Sequence, residues 1–337
     1  MERIRGVDDT PSEPPEKATK RDPMAHLEPT TQAFIDQLAA GGGPALYELS
    51  YEDARAVLRG AAGHQTKVAA SVEDQTWATG PTGQLDVRIV RPEGASGPLP
   101  VILYCHGGGW VMGDKDTHEP LVRKLAAGVN AAVVFVSYTP APDAQYPVQN
   151  EQAYAALEYV VAHAAELNVD ASRLAIAGDS VGGNMTAILA QQAKARKGPA
   201  VTAQVLLYPV TDYMPDFESY RTFADGPWLT TKAMQYFWDA YLPDPTKAGE
   251  TTVSPLRATP EQLSDLPEAL VIVDENDILH EEGEAYARKL ADAGVRTTSV
   301  RINGTFHDFL IVDGVAGTPA VTAALDLAVN FLKRKLA

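Results

Sequence analysis

The chain has 337 residues, 45% hydrophobic and 21% charged, and its 28 Lys and Arg against 44 Asp and Glu leave a net charge of −16. That length suits one large α/β domain with an insertion, and the acidity argues against nucleic acid and anionic membrane surfaces, which call for clustered cations. The single cysteine, Cys105, excludes an intramolecular disulfide framework and a zinc site built mainly from thiolates.

Residues 1–23, MERIRGVDDTPSEPPEKATKRDP, lack the apolar core of a secretory signal and are Pro-rich, charged and free of aromatics. They are expected to be a disordered tail, with Met24 an alternative start. No segment approaches the roughly 20 apolar residues that span a bilayer, so the expected location is cytoplasmic. From about residue 29 to 65 the period is helical. TTQAFIDQLAA places Phe34, Ile35 and Leu38 on one face, GGGP interrupts, and YEDARAVLRGAAG resumes with Tyr51, Ala54, Val57 and Leu58. VAASVEDQTWAT and LDVRIVRP then predict two strands about a Gly-Pro-Gly turn.

From there the chain alternates. Apolar runs at LPVILYCH, AAVVFVSY, RLAIAGDS, AQVLLYPV, EALVIVDEN and TTSVRIN are separated by helical stretches such as PVQNEQAYAALEYVVAHAAEL and VGGNMTAILAQQAKAR. Most runs are Val-, Ile- and Leu-rich without alternation, as strands buried on both faces should be. This pattern predicts an α/β fold with a mostly parallel sheet flanked by helices. One interval, residues 211–268, is too long for a bare loop and holds Trp228, Phe237, Trp238 and Tyr241. It is expected to be an inserted helical segment whose aromatics face something apolar.

The sharpest chemical signal is Gly178-Asp179-Ser180-Val181-Gly182-Gly183. A bare G-x-S-x-G is weak, and a glycine-rich turn can serve strand–helix packing alone. Here the motif directly follows the strand RLAIA and directly precedes a helix, the context a nucleophile elbow requires. A serine needs a base. Of seven histidines, His26 and His64 precede the sheet, His118 and His163 fall in helical stretches, His280 begins a helix, and His106 sits in a glycine-rich turn. His307 alone follows a late strand on a short loop, and the order Ser…acid…His points to it. For the acid, Asp274, Glu275 and Asp277 cluster at the carboxyl end of a strand, and Asp212 is a further candidate; the pattern does not choose among them. Asp179 should point away from the histidine and hold the elbow. The run His106-Gly107-Gly108-Gly109-Trp110 lacks the Gly-Lys-Ser/Thr of a phosphate loop and reads as the second part of an oxyanion hole.

With HGGGW, GDSVGG, SYTPAPDAQYP, SPL, DENDILHEEGEAYARKL and GTFHDF in place, residues 65 to 337 resemble the bacterial hormone-sensitive-lipase family (family IV) of α/β-hydrolases. The resemblance implies an eight-stranded, mostly parallel sheet with a helical cap. Residues 24–65 would supply cap helices, and residues 66–337 the catalytic domain with a cap insertion at about 211–250. It places the nucleophile on Ser180, the acid on Asp277 and the base on His307, with oxyanion donors at the backbone N–H groups of Gly108, Gly109 and Val181. His106 would hold the glycine loop. Trp110, Tyr208, Trp228, Phe237 and Trp238 are expected to line the substrate pocket, and Cys105 to be a small buried hydrophobe.

The chain departs from the family pattern at three places. Val181 stands where Ala is usual and should narrow the pocket. Asp308 follows the histidine where Gly is common. Tyr138-Thr139-Pro140-Ala141-Pro142-Asp143 lacks an expected Arg, which implies a different local salt-bridge network. The expected activity is a serine carboxylesterase on short- to medium-chain carboxylic esters through an acyl-enzyme, with no cofactor and no metal. Its partner is a small-molecule ester; neither nucleic acid nor membrane is expected, and the resemblance raises a homodimer. The rivals are an amidase, lactonase or deacetylase with the same triad, or a non-catalytic small-molecule-binding protein on the same fold.

Overall fold

The structure is a computed structural model that describes residues 26–337. The expectation of a disordered tail at 1–23, and the question of Met24, lie outside the described residues. The chain enters through two helices. α1 (Pro29–Gly41) begins at a proline, with Glu28 accepting the Thr31 N–H at 2.6 Å, and α2 (Tyr51–Ala61) is capped by Ser50, whose hydroxyl accepts the Asp53 N–H at 3.1 Å.

The period change then delivers eight strands: β1 (Ala70–Trp77), β2 (Leu85–Pro92), β3 (Leu99–Cys105), β4 (Ala132–Ser137), β5 (Val169–Asp179), β6 (Ala203–Leu207), β7 (Glu268–Asn276) and β8 (Thr297–Phe306). They form one sheet in the order β1-β2-β4-β3-β5-β6-β7-β8. Pairing is antiparallel at β1–β2 and β2–β4 and parallel across the remaining five pairs. β3 and β6 are buried at every residue, which is why their sequences read as unbroken apolar runs. β1, at an edge, keeps several residues exposed.

The helices cover both faces. α3 (Glu119–Val129) and the C-terminal α10 (Pro319–Leu336) pack together on one; α4 (Val148–Ala162), α5 (Val181–Ala195) and α9 (His280–Asp292) cover the other. The long interval between β6 and β7 carries short helices joined by irregular stretches. It holds α6 (Glu218–Thr222), α7 (Thr231–Tyr241), 3-10 turns at Pro245–Gly249 and Pro255–Arg257, and α8 (Pro260–Leu263). Buried polar contacts fasten it to α9. Glu282 accepts the Thr211 N–H and the Tyr220 hydroxyl (3.0 Å), and Ser219 Oγ donates to the Ile278 carbonyl at 2.6 Å. Among the described residues no helix is long and apolar enough to cross a membrane.

The two N-terminal helices close on this interval. Tyr51 of α2 lies 5.0 Å from Tyr236 of α7, whose hydroxyl donates to the Leu49 carbonyl at 3.3 Å. Phe34 of α1 stacks on Phe306 at 5.9 Å and lies 6.1 Å from Trp228. The face read for α1 is buried only in part: Phe34 and Ile35 are half-buried, whereas Leu38 is exposed. Phe34 is therefore the main apolar anchor of α1. Phe34→Ala should lower unfolding stability by about 1–3 kcal/mol in urea titration and speed proteolysis within α1; unchanged stability and cleavage would contradict that anchoring.

Candidate active site

The elbow forms where β5 turns into α5. Ser180 takes φ +55° and ψ −120°, a left-handed conformation costly to a residue with a side chain. It is held by its own N–H donating to the Leu207 carbonyl at 2.8 Å and by its carbonyl accepting the Val210 N–H at 3.2 Å. Its Oγ lies 2.9 Å from His307 Nε2. His307 follows β8 directly, and its Nδ1 lies 2.8 Å from Asp277 Oδ2. A carboxylate only accepts, so the Nδ1 proton points at Asp277 and Nε2 is left to accept from the serine. Asp277 sits just past β7; its Oδ1 takes the Leu279 N–H at 3.0 Å. All three side chains are buried.

The other acidic candidates occupy different places. Asp212 pairs with Arg257 at 2.6 Å, and Glu275 accepts the Gly304 N–H at 2.9 Å. Asp274 is fully buried, and its carboxyl oxygens have no hydrogen-bond partner among the described residues. Burial and the adjacent Asp277 charge push its pKa well up, whereas the imidazole, against the effect of burial, holds Asp277 low. Asp274, Asp277 and His307 bring ligand atoms within 4.8 Å of one another, the one grouping of metal-ligating type among the described residues. Asp277 and His307 already use theirs on each other.

The glycine run leaves β3 beside the elbow. Asp179 turns away from His307 and binds the loop: its carboxylate accepts the Tyr104 hydroxyl at 2.7 Å, the Gly107 N–H at 3.0 Å and His118 Nε2–H at 3.2 Å. Burial opposes the charges of this pair, yet their mutual attraction raises His118 and lowers Asp179. The sequence places His118 within a helical stretch, whereas it stands just before α3, and nothing in its local spacing signals this contact. His106 stacks on Tyr138 at 4.1 Å and donates Nδ1–H to the Gly107 carbonyl at 2.8 Å; burial first, then the nearby His118 charge, hold it down at about 4. Gly109 has φ +66°, and a Cβ there would strike the Phe237 ring. No acceptor among the described residues takes the N–H groups of Gly108, Gly109 or Val181. Cys105 is buried, its thiol pushed up to about 12 by burial. The Arg missing near Ala141 is replaced from elsewhere: Arg55 of α2 donates to the Val111 carbonyl (2.9 Å), the Ala141 carbonyl (3.2 Å) and Asp143 (3.1 Å).

Ser180, Val181, Gly108, Gly109, His307 and Asp308 open into a cavity of about 190 Å³. Its walls are apolar: Leu46, Val57 and Leu58 from the N-terminal segment, Met112, and Trp228, Leu229, Ala233, Met234 and Phe237 from the interval after β6. Of the five aromatics expected there, Trp228 and Phe237 line it. The expectation for Trp110, Tyr208 and Trp238 is corrected. Trp110 stacks on Tyr241 at 4.0 Å and packs against Trp238 at 4.6 Å, an aromatic cluster behind the wall, and Tyr208 sets its ring edge-on to His307 at 5.0 Å. The aliphatic lining from α2 and α7 escaped sequence reading because Leu and Met at helical spacing look the same in any core.

The electrostatics give a signed expectation. Burial lowers the pKa of His307, but the charges of Asp277 and then Asp308 outweigh it and carry it above the ordinary histidine value. A histidine acting as base is useful only when neutral, so the acid limb of kcat/KM should lie above that ordinary value. Asp308→Asn removes one of the raising charges and should shift the limb to lower pH in a pH–rate profile. A limb that stays in place or moves up would contradict this assignment.

Comparison with known proteins fits this geometry. Residues 102–311 match the family model described as the alpha/beta hydrolase fold. A protein of Acanthamoeba polyphaga mimivirus named as an α/β hydrolase is 37% identical over 310 residues, covering 92% of this chain and 88% of its own. The carboxylesterase NlhH of Mycobacterium tuberculosis is 36% identical over 267 residues, covering 79% and 83%. A crystal structure of a thermostable esterase from Pseudomonas putida superposes with a TM-score of 0.90 at 47% identity, over 93% of this chain and 98% of that one. The chain belongs to the α/β-hydrolase fold family.

Proposed function

We propose that the protein is a serine carboxylic ester hydrolase of the bacterial hormone-sensitive-lipase kind, acting on short- to medium-chain esters. The observation that carries this reading is the chain of contacts Ser180 Oγ–His307 Nε2 at 2.9 Å and His307 Nδ1–Asp277 at 2.8 Å, at the floor of an apolar cavity. Esterases among the relatives support it.

In this mechanism His307 takes the hydroxyl proton as Ser180 Oγ attacks the ester carbonyl carbon. The carbonyl π-electrons move onto oxygen, and the N–H groups of Gly108, Gly109 and Val181 receive that charge. Asp277 keeps the imidazole in the right tautomer and stabilises its protonated form. The intermediate collapses, the C–O bond to the alcohol breaks, and His307 gives its proton to the departing oxygen. Water, deprotonated by His307, then attacks the acyl-serine, and the acid leaves as Ser180 regains its proton.

The size of the space sets the substrate range. About 190 Å³ is small beside the roughly 300–1,000 Å³ of sites for drug-sized ligands. In this reading α1, α2 and the segment at about 211–250 form the cap, since Phe34 of α1 meets Trp228, and Val57 and Leu58 of α2 line the same cavity as Trp228, Leu229 and Phe237.

Turnover of p-nitrophenyl esters from acetate to palmitate should peak at the short end, and a maximum at palmitate would contradict the size argument. Ser180→Ala should lower kcat/KM on the best of these esters roughly 10⁴-fold or more; an active variant would remove Ser180 as nucleophile.

A further inference from the structure

Among the residues lining the cavity, Asp308 is the only carboxylate, and nothing in the mechanism above needs one at that place. One of its oxygens is committed. Oδ2 accepts the Trp228 Nε1–H at 3.0 Å, which fixes the side chain from the segment facing the sheet. The other, Oδ1, is buried and has no hydrogen-bond partner among the described residues. It lies 3.5 Å from His307 Nε2, the nitrogen that faces Ser180.

Two further features make this oxygen a signal. The backbone of Asp308 has φ +68°, the left-handed region where glycine would sit without strain. The cavity that Asp308 lines is otherwise walled largely by apolar side chains, Leu58, Met112, Leu229 and Met234 among them. A side chain kept in unfavourable backbone geometry, with an unsatisfied buried acceptor beside reacting atoms, is where function is to be sought.

The position relative to His307 says which half of the substrate meets it. The leaving alcohol's oxygen must come to Nε2 to receive its proton, and Oδ1 is adjacent to that place. The acyl chain leads elsewhere, because its carbonyl oxygen points to the glycine loop. We propose that Asp308 Oδ1 reads the alcohol half of the ester, accepting a hydrogen bond from a hydroxyl or protonated amine on the second carbon from the ester oxygen. The favoured substrates are then monoesters of vicinal diols and of 2-amino alcohols. This rests on the esterase reading above and adds a substrate class to it.

A charged acceptor in a low-dielectric wall makes a stronger bond than water offers, and the aliphatic isostere leaves Oδ1 unpaired. The test compares kcat/KM for three acetates: 2-hydroxyethyl acetate, its isostere propyl acetate, and 2-methoxyethyl acetate, which keeps the oxygen and loses the donor. They share one acyl group, so any difference belongs to the alcohol. The wild type should prefer the hydroxyethyl ester to the methoxyethyl ester by about tenfold. In Asp308→Ala that preference should fall to near unity. Asp308→Asn should be intermediate, because an amide oxygen still accepts but carries no charge.

Equal kcat/KM for the three esters in the wild type would overturn the proposal, as would a preference that survives in Asp308→Ala. The wild-type comparison needs no variant to fold. A wild type that also fails to turn over p-nitrophenyl acetate would sink the esterase reading itself, whereas turnover without alcohol discrimination would sink only this inference.

Discussion

The arrangement at the candidate site depends on one backbone turn. Ser180 at φ +55° lifts its side chain off the end of β5, and the turn closes only because the residues two before and two after it, Gly178 and Gly182, have no side chains. A Cβ on Gly182 would run into the Cys105 carbonyl, and one on Gly178 into the Gly182 carbonyl. That crowding draws the end of β3 against the start of α5. The glycine loop leaving β3 is thereby brought to the N-terminal end of α5, where peptide N–H groups have no helical acceptor. Asp179 completes the arrangement by binding the loop on the side opposite to the serine. Strain at Ser180 is thus supported by three buried hydrogen bonds to the residue before it.

The parallel sheet supplies the remaining parts. Strands running the same way end on the same edge, so loops far apart in sequence become neighbours. β3 delivers the glycine loop, β5 the serine, β7 Asp277 and β8 His307, all at their carboxyl ends. Placing Asp277 and Asp274 close together in a buried region drives their pKa values apart: Asp274 rises, and Asp277, which faces the imidazole, is held low by it. Over this edge the N-terminal helices and the interval after β6 meet through Tyr51 and Tyr236, and through Phe34 and Trp228. The walls of the cavity therefore come from two distant segments and its floor from the sheet.

Much of this was legible in the sequence for identifiable reasons. Unbroken apolar runs such as LPVILYC mark strands buried on both faces, and the structure pairs them in parallel. The elbow and the glycine run carry their meaning in backbone requirements, which glycine advertises locally. Choosing Asp277 over Asp274 or Glu275 was not local; it depends on the register of β7 against β8, and only the family resemblance singled it out. The aromatics read least well. Trp110 stacks on Tyr241 and Trp238 packs tilted against it behind the cavity, because composition does not say which way a ring points. His118 and Arg55 act across 61 and 88 residues of chain, on Asp179 and Asp143, and no spacing reports such contacts. Asp308 was visible as a departure from the family pattern, but its unpaired oxygen and its bond to Trp228 needed three dimensions.

The central claim is that Ser180, activated through His307, is the group that attacks the carbonyl. The most direct measurement is intact-protein mass spectrometry with peptide mapping after reaction with a fluorophosphonate, which labels only a serine activated in this way. The account predicts one adduct, on Ser180, that disappears in Ser180→Ala and slows strongly in His307→Ala. A wild-type protein that takes no label, or a Ser180→Ala variant labelled as fast as the wild type, would contradict it.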